Sequence, residues 1–193
     1  GSTFKNIRKE KHVFMFLLAF FFYIDGVYTI IDMATAYGSA LGLDSTGLLL
    51  ALLVTQIVAF PCAILFGHLS YKVSTEKLIA VCICAYFGIA IFAIFLRTQL
   101  QFWILAVLVG MFQGTIQALS RSYFAKIIPA EKSGEYFGIY DICGKGASVI
   151  GTALVSFISQ MTGSINIAVS ALSVMFLVGL VLFRYSAKLN SVR

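Results

Sequence analysis

The chain of 193 residues is 60% hydrophobic and 11% charged, with a net charge of +6 and a mean hydropathy of +0.96. Soluble domains average about 45–50% apolar and about 25% charged residues, so this composition excludes a soluble fold and calls for a bilayer as solvent. Continuous apolar runs such as 78–96 and 165–183 exclude a β-barrel, whose strands alternate apolar and polar residues.

A helix crosses the hydrocarbon core with about 20 apolar residues. Six such stretches follow one another at 13–40, 45–70, 77–97, 101–125, 134–160 and 165–186. They predict an all-α polytopic membrane protein whose six-helix domain occupies residues 12–187, between an N-terminal segment 1–11 and a tail 188–193. Gly1-Ser2 reads as a cloning remnant, which implies a chain cut from a longer protein. The first span carries Asp25 and Asp32 two turns apart, with Tyr28 and Thr29 between them on the same face. The second offers Gln56 and an internal Pro61, which predicts a kink. The third has no ionisable residue between Leu78 and Leu96. The fourth places Gln113, Gln117 and Arg121 on one stripe, and the fifth places Asp141 and Lys145 one turn apart, near Tyr136 and Tyr140. The sixth holds only Asn166, Ser170 and Ser173 before Arg184. An ionisable group in lipid is costly and faces a bundle interior or a watery cavity. The first and fourth spans are therefore expected to line a cavity, the second and fifth to support it, and the third and sixth to face lipid.

The basic residues fix an orientation. Twelve of the 14 fall on one side, at or near the two termini and the second and fourth gaps, Arg97 alone lies on the other, and Lys145 lies deep within a span. Short cytoplasmic loops are enriched in Lys and Arg, so both termini are expected in the cytoplasm. This distribution also accounts for the net charge without a nucleic-acid partner. Three intramembrane carboxylates face one ammonium. Asp141 and Lys145 form an intrahelical pair in one reading; in another, Asp25 and Lys145 meet near the midplane. Small residues at packing intervals (Gly110 and Gly114, Gly134 and Gly138, then Gly144, Ala147, Ser148 and Gly151) predict close helix contacts. Cys62, Cys82, Cys84 and Cys143 sit within spans as small buried hydrophobes, and no metal or other cofactor is expected.

Three strings are distinctive. Residues 25–38 in the first span read Asp-Gly-Val-Tyr-Thr-Ile-Ile-Asp-Met-Ala-Thr-Ala-Tyr-Gly. Residues 117–129 read Gln-Ala-Leu-Ser-Arg-Ser-Tyr-Phe-Ala-Lys-Ile-Ile-Pro, and 135–145 read Glu-Tyr-Phe-Gly-Ile-Tyr-Asp-Ile-Cys-Gly-Lys. With Thr162-Gly-Ser164 they resemble the C-terminal half of the major facilitator superfamily, in the branch of the autophagy-related vacuolar amino-acid effluxer and its bacterial relatives. The resemblance implies the last six of twelve helices, with a missing N-terminal six-helix half, and alternating access around a midplane site. It departs from the superfamily at residues 67–74, where Tyr71 and Ser74 replace the acid and the second glycine of the usual loop.

Two functions from different classes follow. The first is half of a secondary active transporter for a small solute such as an amino acid, in a bacterial plasma membrane, not transport-competent when isolated. Its path is formed by Asp25, Tyr28, Thr29, Asp32, Gln113, Gln117, Asp141 and Lys145, with Asp25 or Asp32 coupling a proton. Arg121 and Lys126 contact headgroups or the partner half at the cytoplasmic surface, and the isolated half self-associates as a two-fold dimer. The second is a complete six-helix module acting as a homo-oligomeric channel or scaffold. An intramembrane enzyme is excluded by the lack of the H-E-x-x-H and G-x-S-x-G motifs and of a lipid-phosphotransferase acidic cluster.

Overall fold

The computed structural model describes residues 2–192; Gly1 and Arg193 lie outside the described residues. Apolar residues fill the helices and polar residues mark their ends. A short basic helix, α1 (Ser2–Lys9), leads into α2 (Lys11–Ala40), whose 30 residues extend about 45 Å. The next helix, α3 (Ser45–Leu69), starts where the Asp44 carboxylate accepts the Gly47 N–H at 3.0 Å, an ordinary N-cap. It continues through Pro61 without interruption. Ser74 caps α4 (Thr75–Phe92), which ends in a tight turn over Ala93–Phe95. A capping box of Thr98 and Gln101 opens α5 (Gln99–Ile127). The last two spans are each divided once, the fifth into α6 (Ser133–Gly146) and α7 (Val149–Thr162) and the sixth into α8 (Ile165–Ser170) and α9 (Leu172–Ser191).

Six stretches are long and apolar enough to cross a membrane: Lys11–Ala40, Ser45–Leu69, Thr75–Phe95, Gln99–Ile127, Ala130–Thr162 and Ile165–Ser191. These are the six expected spans, each within a few residues of its expected bounds. The chain is an all-α, multi-pass integral membrane protein.

The first span is central. Along α9 it packs closely enough that a side-chain carbon on Gly179 meets Tyr23 Cβ at 2.9 Å and the Tyr23 backbone at 3.1 Å. Its aromatic residues Phe16, Phe20 and Tyr23 are buried against Tyr123, Phe124, Tyr140 and Phe183. The second span leans almost wholly on the fourth: Gly110 lets the helices approach until a Cβ there would stand 2.7 Å from the Thr55 carbonyl oxygen, and Thr55 Oγ1 donates to the Ala106 carbonyl at 3.2 Å. The glycine stripe thus works as expected at Gly110 and Gly151. It fails at Gly134 and Gly138, where an added Cβ would meet nothing within 4 Å.

Burial departs from the expected layering. The second and fifth spans are the most open, with 17% of their apolar windows buried, against 44% for the third and 33% for the sixth. The reason lies in neighbours: α4 is wedged between α5 and α9, and α9 lies along α2, so each buries one face and leaves residues such as Val81, Val174 and Val181 exposed on the other. Apolar composition identifies a helix that tolerates lipid; it does not say how many protein neighbours the helix has.

Candidate functional site

The fifth span is broken in mid-membrane. Ala147 is extended and Ser148 is left-handed, with φ of 78°, the one non-glycine residue with positive φ among those described. Such a backbone costs about 1–2 kcal/mol for a residue with a side chain. The sequence reading treats 144–151 as a packing stripe within one helix; instead the run Gly144-Lys-Gly-Ala-Ser148 gives way as a hinge between α6 and α7.

Asp25 holds this break. Its Oδ1 accepts the Ser148 N–H at 2.6 Å and the Gly151 N–H at 3.1 Å, and the Thr29 hydroxyl lies 3.4 Å away while donating to the Asp25 carbonyl at 2.7 Å. Asp25 and Thr29 are wholly buried. Gly151 is required there, because a Cβ would collide with Thr29 Oγ1 and stand 3.0 Å from Asp25 Oδ1. The expected Asp25–Lys145 meeting therefore does not occur: backbone amides take the carboxylate. Asp32, two turns on, is exposed, so a shared helical face does not carry shared surroundings.

A cavity of about 620 Å³ opens between the first, fourth and fifth spans. Tyr28, Gln117, Arg121, Tyr140, Asp141 and Lys145 supply its polar wall. The intrahelical Asp141–Lys145 pair is replaced by a pair across helices, Arg121 Nη1 to Asp141 Oδ1 at 3.3 Å, the one ion pair among the described residues. The Arg121 guanidinium also lies over the rings of Phe137 (5.0 Å) and Tyr140 (5.8 Å), a cation–π arrangement that orients it toward the cavity. Arg121 is thereby moved from the expected surface loop into the candidate path, since α5 continues past it to Ile127. Lys126 donates to Thr75 Oγ1 at 3.3 Å, joining the fourth span to the start of the third rather than reaching for a partner. Lys145 makes no ion pair among the described residues.

The remaining expected residues divide between places. Gln113 and Thr29 border a second, apolar cavity of about 60 Å³ between α2, α3, α4 and α5, with Tyr37 and Gln56. Gln113 Oε1 is buried there without a hydrogen-bond partner. The structure thus gathers Tyr28, Gln117, Asp141 and Lys145 with Arg121, sets Asp25 and Thr29 one turn away at the break, and leaves Asp32 outside. Sequence reasoning noted Tyr140 but left it out of the path, and missed the Ser148 and Gly151 amides; the Gly144–Ser148 run was the available signal for the latter.

A charged cavity between membrane-spanning helices, beside an interrupted helix, defines a polytopic membrane protein with a polar interior face. Comparison with known proteins specifies it further. The model of the family described as "Vacuole effluxer Atg22 like" matches residues 1–191, and the chain belongs to that family. It is 48% identical over 185 residues to a protein of Bacillus subtilis named as an uncharacterized MFS-type transporter, YxiO, covering 96% of this chain and 43% of that one. Autophagy-related protein 22 of Cryptococcus neoformans is 28% identical over 191 residues, and that of Saccharomyces cerevisiae 29% over 177, each covered to 34% of its length. The chain therefore spans less than half the length of these relatives. They are named as transporter and autophagy protein, and the family as an effluxer, not as enzymes.

Proposed function

We propose that this chain is one six-helix half of a secondary active transporter that moves a small zwitterionic solute, an amino acid above all, by alternating access against a second six-helix half. The observation that carries this reading is the cavity between the first, fourth and fifth spans, which presents Arg121 and Lys145 beside Asp141. A zwitterion needs both signs within a few ångströms, and a low-dielectric wall strengthens each contact. Coverage of 43% of the Bacillus relative leaves room in a protein of that length for another bundle of similar size. Both termini face the cytoplasm in this reading, which the asymmetry of Lys and Arg supports, and the Bacillus relative favours a bacterial plasma membrane. Asp25 rather than Asp32 is the coupling carboxylate, because it alone is buried and in contact with a hinge.

The deciding experiment is solute flux across an amino-acid panel, in proteoliposomes holding the whole carrier, with Asp25→Asn and Asp32→Asn compared. Saturable flux that loses its pH drive in Asp25→Asn and keeps it in Asp32→Asn supports the assignment. Equal behaviour of the two variants refutes Asp25 as the coupling group, and the lack of saturable flux for every solute refutes the transporter reading.

A further inference from the structure

The break between α6 and α7 places a helix N-terminus inside the membrane. The first amides of a helix lack intrahelical acceptors and carry the positive end of its dipole, an arrangement that attracts anions. The 14 residues of α7 end this way against the first span. Serine at the N-cap ordinarily accepts such an amide itself, but the Ser148 hydroxyl makes no capping bond. The anion comes from another helix: Asp25 Oδ1 takes both the Ser148 and the Gly151 amides.

Asp25 is held incompletely. Its second oxygen, Oδ2, is fully buried and has no hydrogen-bond partner. A carboxylate placed only to cap a helix is expected to have both oxygens satisfied, since an unpaired buried oxygen forfeits hydration with nothing in return. No other acid shares the position: α7 carries no titratable side chain, none lies between Ile165 and Phe183, and α6 contributes Glu135 and Tyr136 at its far end and Tyr140, Asp141, Cys143 and Lys145 nearer the break. Lys145, three residues before Ser148, faces the cavity without an ion-pair partner among the described residues, and Tyr28, three residues after Asp25, shares that wall. A cation in the cavity wall and a helix N-terminus thus lie three residues apart in sequence, on either side of the break.

We propose that the N-terminus of α7 is an anion seat that Asp25 fills with its own carboxylate, and that the carboxylate of a solute drawn in by Lys145 competes with Asp25 for it. This deepens the transporter reading by naming the contact for the solute's anionic end. It links solute capture to the release of the hinge, because an incoming carboxylate satisfies the Ser148 and Gly151 amides as Asp25 leaves them.

The seat can be tested without flux. Asp25→Ala vacates it, and formate is small enough to enter. The thermal midpoint of the 193-residue chain in neutral detergent is expected to fall in Asp25→Ala and to recover most of the loss, saturably, in sodium formate but not in equimolar sodium chloride. The wild type, its seat filled, is expected to respond alike to both salts. Adding Gly151→Ala should abolish the recovery, since the new methyl occupies the mouth of the seat. If Asp25→Ala emerges unfolded from chloride, recovery of a folded, monodisperse chain on solubilisation in formate supports the seat. Equal response of Asp25→Ala to formate and chloride, or no recovery in formate, overturns it and leaves Asp25 as a structural cap only. Rescue without flux in the whole carrier sinks the transporter reading alone; flux without rescue sinks the seat alone.

Discussion

The contact of Gly151 with Thr29 and Asp25 permits a quantitative test of the hinge. Gly151→Ala adds a methyl where Thr29 Oγ1 stands, 3.0 Å from Thr29 Cβ and from Asp25 Oδ1. Carbon atoms pack best at about 3.5–4.0 Å, so the two helices must separate by roughly half an ångström or more. Overpacking of this kind costs about 1–3 kcal/mol. The separation also lengthens the Gly151 N–H bond to Asp25, a charge-assisted bond of about 1.5–3 kcal/mol. The intrinsic preference of a helix for Ala over Gly returns up to about 1 kcal/mol, leaving a net loss of roughly 1.5–5 kcal/mol. Thr29→Ala alone loses one buried hydroxyl bond, about 1 kcal/mol, but removes the atom that the new methyl strikes. The double variant should therefore be more stable than the sum of the singles predicts, by about 1 kcal/mol or more. Equilibrium unfolding in mixed micelles, followed by circular dichroism and by the single tryptophan, Trp103, measures all four corners of the cycle. Additivity within about 0.5 kcal/mol, the range found for independent sites, would refute the close approach of the first and fifth spans at the break.

Three other outcomes are expected. Exchanging the cross-helix pair, Arg121→Asp with Asp141→Arg, should shift the unfolding free energy by under about 1 kcal/mol, because both side chains are about half exposed to the cavity; flux in the whole carrier should nevertheless drop at least tenfold, and unchanged flux would remove the pair from the path. Single cysteines placed in a cysteine-free background at 163 and at 190 should be labelled by an impermeant maleimide from opposite sides of sealed vesicles, whereas labelling from the same side would reject the orientation. The chain alone should self-associate in detergent as a two-fold dimer, its most open spans being the second and fifth; light scattering that returns a clean monomer would reject that.

The number and limits of the spans were legible in the sequence because hydrocarbon thickness sets a length and lipid excludes charge, and both are properties of single helices. Asp25 was legible for the same reason, as a carboxylate that a lone helix cannot tolerate. Its partners were not: they are main-chain amides of residues 148 and 151, and a backbone donor released by a break has no side-chain signature. The break itself was hidden because glycines that allow helices to approach are the same residues that allow a helix to stop. Arg121 was misplaced for a different reason. An arginine near a span's end is usually drawn to headgroups, and only the position of the fifth span, with Phe137, Tyr140 and Asp141 facing it, turns it inward.

Asn166, one of the few polar residues of the sixth span, has a consequence for how the bundle can move. Its side-chain amide donates to the carbonyls of Ala93, Ile94 and Leu96, at 3.3, 3.3 and 3.1 Å, at the end of the third span. At the opposite end of the sixth span, the Ser186 hydroxyl donates to the His12 carbonyl at 2.7 Å, and between these levels the Tyr23 and Ser120 hydroxyls meet at 2.6 Å. The first, third, fourth and sixth spans are thus riveted at three heights and behave as a chassis. The second span is packed along the fourth, with Thr55 against Gly110 and Phe66 against Phe112, and the fifth span meets the chassis at its break through the Asp25 carboxylate. None of the three rivets involves the broken fifth span, so a change at its break leaves the frame intact.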